Sequence, residues 1–155
     1  MDIKESIRRA QPDEARRLSE LALRSKAHWG YAPGFLEACR LALTLTPDYI
    51  GQQHVFVCET EAAIAGFYAL CLTAKGEREL DYLYLEPTAI GRGYGKLLWQ
   101  HAIARARQLA WPDFTIAADP HAEQFYLTMG AQRIGDIESE AEKGRMLPLM
   151  GFHLL

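Results

Sequence analysis

The spacing of apolar positions changes period along the chain, and the changes mark out its elements. Residues 3–9 read as a short strand. Gln11-Pro12-Asp13-Glu14 opens a helix, since a first turn tolerates a proline and favours acids. Leu18, Leu21 and Ala22 form its apolar stripe, and it is expected to end near His28-Trp29-Gly30. Pro33 starts a second helix carrying Phe35, Leu36, Cys39 and Leu43, and Pro47 ends that region. The pattern then becomes that of strands, over residues 54–60 and 63–73 with a tight turn near Glu61-Ala62, and again over 79–85. Helical spacing returns at Leu98, Ala102, Ala106 and Leu109. Residues 114–118 are a short apolar run, a buried strand. Asp119-Pro120 caps a helix running to Met129, with Gly130 as its stop. Residues 131–137 and 147–154 read as the last strands, and the charged stretch 138–145 as a loop between them. No linker, repeat or low-complexity tract intervenes. The expected order is βααβββαβαββ, an α/β fold with a mixed sheet in a single domain over residues 1–155.

Composition narrows the classes. With 49% hydrophobic and 24% charged residues, the chain has the make-up of a globular domain with one core. A net charge of -3, from 17 basic and 20 acidic residues, lacks the basic surplus of a nucleic-acid binder. No apolar run approaches the ~20 residues of a membrane span. Neither nucleic acid nor membrane is therefore an expected partner. Cys39, Cys58 and Cys71 lie among apolar neighbours without CxxC spacing and read as buried small hydrophobes. Their odd number, and a polar opening segment unlike a secretory signal, fit a reducing cytoplasm.

One segment carries more chemistry than the rest. A strand ending at Leu85 runs through Glu86-Pro87 into Ile90-Gly91-Arg92-Gly93-Tyr94-Gly95, and a helix follows at once. Bare backbone N–H groups beside a helix N-terminus suit phosphate oxygens. A dinucleotide fingerprint fails, because Lys96 stands where G-x-G-x-x-G needs its third glycine. A Walker loop fails at Ile90 and Leu97. A plain turn is a poor reading of three alternating glycines before a helix, since glycine weakens helices.

What remains resembles the GNAT superfamily of acyl-CoA-dependent N-acetyltransferases. Their loop, Q/R-x-x-G-x-G/A, follows a strand ending in V-x-P; here the glycines match and Ile90 replaces the usual Gln or Arg. A second segment, residues 119–131, resembles the family's N-x-x-A-x-x-F-Y-x-x-x-G-F, with Asp119 for Asn, Ala122, Phe125 and Tyr126 in place, and Ala131 for Phe. The resemblance implies a mostly antiparallel mixed sheet flanked by helices. It implies acetyl-CoA as co-substrate, no metal, and a small-molecule amine acceptor; a homodimer is a frequent state of the family.

It also implies roles. The N–H groups of Arg92, Gly93, Tyr94, Gly95 and Lys96, with Ile90 and Gly91, would hold the pyrophosphate, the side chains of Arg92 and Lys96 adding charge or simply forming a solvated patch. Leu83, Tyr84 and Leu85 would pair with the pantetheine arm, and a backbone N–H there, that of Leu85, would meet the oxyanion. Asp119, Ala122 and Phe125 would complete the donor site. Tyr126 would protonate the leaving thiolate, unless it is a core tyrosine. Glu79 and Asp81 alternate with Leu83 and Leu85 and are expected on one sheet face, where burial would raise a carboxylate toward the working range of a base; an exposed strand start is the other reading. His28, Trp29, Tyr31 and Phe35 would line the acceptor pocket or pack a helix corner. A non-catalytic acyl-CoA-binding sensor and a protein lysine or N-terminal acetyltransferase are the alternative functions.

Overall fold

The computed structural model describes residues 5–61 and 63–154. Ile3 and Lys4 of the expected first strand and Ala62 of the expected turn lie outside them. The chain runs β1 (Glu5–Arg9), a 3-10 turn (Pro12–Glu14), α1 (Ala15–Ala27), α2 (Pro33–Ala42), α3 (Pro47–Gln52), β2 (His54–Thr60), β3 (Ile64–Leu72) and β4 (Arg78–Leu85). It continues through α4 (Tyr94–Gln108), β5 (Asp113–Ala117), α5 (Glu123–Thr128), β6 (Gln132–Glu138) and β7 (Met146–His153). The expected α/β architecture is present, with one short helix added. Pro47 does not only end a region: it is the first residue of α3, whose N-cap Thr46 accepts a hydrogen bond from the Tyr49 amide at 3.0 Å.

Among the described residues, seven strands form one sheet in the order β1-β2-β3-β4-β5-β7-β6. Every neighbouring pair is antiparallel except β4 and β5, which run parallel and pair only at Glu79 and Thr115. Beyond that pair the two strands part, and the loop before α4 lies past the end of β4. On one face, Leu98, Trp99, Ala102 and Ala106 of α4 share a buried core with Tyr68, Phe114 and Met150. On the other, Leu18, Leu21, Cys39 and Ile50 of α1–α3 pack with Val55, Val57, Phe67 and Tyr82. Cys39, Cys58 and Cys71 are buried and not in disulfides. Among the described residues no helix is long and apolar enough to cross a membrane.

The strand carrying the two acids breaks the expected alternation. Ala69 of β3 pairs with Tyr82, but the next residue, Leu70, pairs with Leu80. Asp81 is therefore the extra residue of a β-bulge. Leu80, Leu83 and Leu85 face the α4 side, whereas Tyr82 and Tyr84 face α1–α3. Glu79, opposite Cys71, and Asp81 stand with the tyrosines, not with Leu83 and Leu85 as strict period two requires.

Candidate active site

The glycine loop is shaped by backbone needs at two positions and by packing at the third. Gly91 and Gly93 hold φ of +84° and +88°, a left-handed conformation that costs an L residue energy. Gly95 has an ordinary backbone, but a Cβ there would lie 3.2 Å from the Phe125 ring, so the third glycine lets α4 approach α5. The N–H groups of Gly91, Arg92, Gly93, Tyr94, Gly95 and Lys96 donate to no protein acceptor among the described residues; the first turn of α4 begins with the Leu97 amide on the Gly93 carbonyl at 3.2 Å. Six unclaimed donors at a helix start, in a segment free of carboxylates, make a cradle for an anion. Arg92 and Lys96 are exposed beside it, while the Tyr94 side chain turns into the core. Gly66 of β3 serves close approach too, since a Cβ there would sit 2.7 Å from the Tyr84 carbonyl oxygen.

Glu79 and Asp81 form a carboxyl pair next to the Cys71 thiol, their ligand atoms all within 4.8 Å of one another. Burial, then the charge and hydrogen bond of Asp81, raise Glu79 to about 7. The Tyr49 hydroxyl donates to Asp81 Oδ2 at 2.6 Å, and its ring packs edge-on to Tyr82. Burial and the two acids push the Cys71 thiol up to about 12, so it stays protonated. Glu79 is thus half-buried within the sheet rather than at a frayed strand start, and Asp81 is held although more exposed.

Around the same cleft, the segment between α1 and α2 is clasped to the turn before α5. Lys26 Nζ lies 2.6 Å from Asp119 Oδ2, both side chains only 10% exposed. Asp119 also accepts from the His121 amide at 2.8 Å and from the Tyr31 hydroxyl at 3.0 Å. Burial alone would raise the Asp119 carboxyl; the Lys26 ammonium and the His121 donors outweigh it and hold it below its usual value. Arg145 donates to the Tyr31 oxygen at 2.9 Å and lies 4.4 Å from the centre of the Phe35 ring. Trp29 stacks on His121 at 5.0 Å, with His28 edge-on to it. Tyr31 and Phe35 are therefore part of a polar clasp, and His28 and Trp29 stand at its outer, exposed side.

Tyr126 of α5 is buried against Trp99 and Phe125. Burial raises its phenol, and the same cause, followed by the charge of Tyr126 itself, raises that of Tyr84. These two hydroxyls, from opposite faces of the sheet, are electrostatic neighbours where β4 and β5 part, and neither has a hydrogen-bond partner among the described residues. Ala122 ends the turn capped by Asp119, and Phe125 packs under the glycine loop. A cavity of about 170 Å³ lined by Glu79, Asp81, Tyr84, Lys26 and Asp119 opens on the α1–α2 side. Sequence reasoning missed Tyr49, Lys26 and Cys71. The Thr46-Pro47 start signal was available for Tyr49; only the strand register places Cys71 beside the acids.

Known proteins carry the same organisation. Residues 42–149 match the family model of the acetyltransferase (GNAT) domain. No curated protein matches the chain in sequence. Among solved structures, a GCN5-related N-acetyltransferase from Rhodopseudomonas palustris is similar at TM-score 0.77 and 20% identity, covering 99% of this chain and 98% of that one. PaiA N-acetyltransferase from Thermoplasma acidophilum, in complex with coenzyme A, is similar at TM-score 0.75 and 18% identity, covering 97% and 99%. YncA from Salmonella typhimurium, with acetyl-CoA, is similar at 0.69 and 17%, covering 97% and 94%. These likenesses establish the fold; with the family match over residues 42–149, they place this chain in the GNAT acetyltransferase family.

Proposed function

We propose that this chain is an acetyl-CoA-dependent N-acetyltransferase that moves an acetyl group to a primary amine of a small molecule by direct attack on the thioester. The observation that carries the donor assignment is the run of six N–H groups at residues 91–96 with no acceptor among the described residues, beside the parting of β4 and β5. The similar structures that hold coenzyme A or acetyl-CoA support it. In this reading residues 90–96 hold the pyrophosphate, and the free edge of β4 at Leu83, Tyr84 and Leu85 takes the pantetheine arm. Ala122 and Phe125 wall the donor site, and Asp119 fixes the corner that bears them.

The acceptor amine lies in the cavity beside Glu79, toward the clasp of Tyr31, Phe35, His28 and Trp29. Glu79, half-ionised near neutrality, takes a proton from the amine, and Asp81 carries part of the charge. The nitrogen bonds to the thioester carbonyl, and the oxyanion is met by a β4 backbone N–H, that of Leu85. As the C–S bond breaks, the thiolate takes a hydrogen bond and then a proton from Tyr126. Burial keeps the Tyr126 proton in place throughout the working range, so the phenol is always present as a hydrogen-bond donor to the developing thiolate, while the same shift makes complete transfer of its proton the harder part of the step.

A thiol-release assay with acetyl-CoA and a panel of small amines tests this. Thiol formed only when amine is present supports the transferase. A raised melting temperature with acetyl-CoA but no thiol from any amine or lysine peptide points to a binding module; no effect of acetyl-CoA at all removes the donor assignment.

A further inference from the structure

The second half of α4 meets the sheet over a patch rich in cations and imidazoles. Arg105 stands about 15 Å along the helix from Gly95, at 1.5 Å per residue. There Arg9 of β1, His54 and Phe56 of β2 and Tyr68 of β3 face His101 and Arg105 of α4. The Phe56 ring stacks on Tyr68 at 5.5 Å and tilts against His101 at 4.8 Å. The guanidiniums of Arg9 and Arg105 each lie 5.7 Å from its centre.

The hydrogen bonds fix the state of both imidazoles. Arg105 Nη2 lies 3.2 Å from His54 Nδ1. A guanidinium only donates, so this nitrogen is an unprotonated acceptor and the His54 ring is neutral. The Tyr68 hydroxyl lies 2.7 Å from His101 Nδ1. Burial raises that phenol, against the pull of Arg105 and Arg9, so Tyr68 keeps its proton and is the donor. Arg105 Nη1 donates to Gln108 Oε1 at 3.1 Å, and its buried Nε has no acceptor among the described residues. Arg9 donates to the Gln53 carbonyl at 2.8 Å. None of Arg9, His54, His101 and Arg105 joins an ion pair among the described residues.

A proton on His54 therefore turns an acceptor into an N–H aimed at another N–H. Burial, then the charge of Arg105 and for His54 that of Arg9, holds both imidazoles below their usual value. Folding thus favours the neutral rings. Their contribution is present above the ordinary histidine value of about 6.5 and lost as pH falls through the lowered native values.

We propose that His54 and His101 form an acid-released latch: neutral, they receive Arg105 and Tyr68 and hold the second half of α4 on the sheet; protonated, they stand among guanidiniums without a counter-charge and let it go. The same helix presents the Tyr94, Gly95 and Lys96 amides in its first turn, so release of its far half weakens the hold on acetyl-CoA. That coupling rests on the donor assignment above; the latch does not.

Histidine-ring NMR titrations of the whole protein, with amide-exchange protection at pH 7.5 and 5.5, test the latch. His54 and His101 should titrate below about 6.5, and Arg105→Gln should move both midpoints up. Protection over residues 101–108 should fall about tenfold in acid. His54→Gln combined with His101→Asn should abolish that fall, since both new side chains accept at any pH. Acetyl-CoA binding should weaken over the same interval by at least about threefold more in the wild type than in the double variant. Either imidazole titrating at or above 6.5, midpoints indifferent to Arg105→Gln, or an equal loss of protection in wild type and double variant overturns the latch. Equal weakening of acetyl-CoA in the two proteins overturns the coupling alone, and no acetyl-CoA binding at either pH removes the donor assignment instead.

Discussion

At the scale of residues, the Glu79–Asp81 pair would set the pH response of the proposed reaction. Because Glu79 is raised to about 7, the free enzyme's kcat/KM should climb as pH passes through neutrality. Glu79→Gln is expected to lower it by about a hundredfold and to flatten that climb. The stability sign follows from the same shift. Folding favours the protonated carboxyl, so the contribution is present below the ordinary carboxylate range and lost as pH rises through about 7. The wild type should therefore lose melting temperature between mildly acid and alkaline buffers by more than Glu79→Gln does. Tyr49 acts through Asp81. Tyr49→Phe removes the 2.6 Å donor that steadies the doubly ionised pair, so the midpoint of the kcat/KM profile should move to higher pH. A profile that stays put would show that the hydrogen bond is only structural. The acids themselves were legible as candidates from their place on an apolar strand. Their orientation was not, because a bulge is a property of how β4 registers against β3, and Tyr49 arrives from a helix distant in sequence.

Among the elements, the loop into α4 divides its glycines between two physical demands. Gly93→Ala places a Cβ in open space but on a left-handed backbone, and should cost roughly 1 kcal/mol. Seen by thermal melting, that loss should come with a higher KM for acetyl-CoA if the N–H groups of this loop hold its pyrophosphate as proposed, since the strain falls on them. The spacing of Gly91, Gly93 and Gly95 was readable because φ above zero and close helix approach both demand glycine at fixed positions. The strands and long helices were equally readable from their periods. The helix α3 was not, because Pro47 serves as a first helical residue as naturally as it ends the preceding stretch. The aromatics His28, Trp29, Tyr31 and Phe35 could be singled out in the sequence, but the contacts of Tyr31 with Asp119 and Arg145 are made only by the tertiary fold.

Across the whole molecule, the Lys26–Asp119 pair ties the end of α1 to the turn that launches α5. Lys26→Met leaves a buried carboxylate uncompensated and should destabilise the protein by about 3 kcal/mol at neutral pH, measured by chemical denaturation. Asp119 sits below its usual value, so its stabilisation is present at neutral pH and lost as acid titrates through that lowered value; the gap between variant and wild type should close there. The wider consequence lies in the one parallel junction of the sheet, where β4 and β5 meet at a single residue pair. Four strands stand on one side of that junction and three on the other, joined in sequence by α4. A donor molecule lying in the gap would be the missing rung between two half-sheets. Its binding energy would then be shared with cohesion of the fold, so amide hydrogen exchange should slow in β4 and β5 together when acetyl-CoA is added. The protein would be stiffest when loaded and would loosen along that seam each time the spent carrier departs.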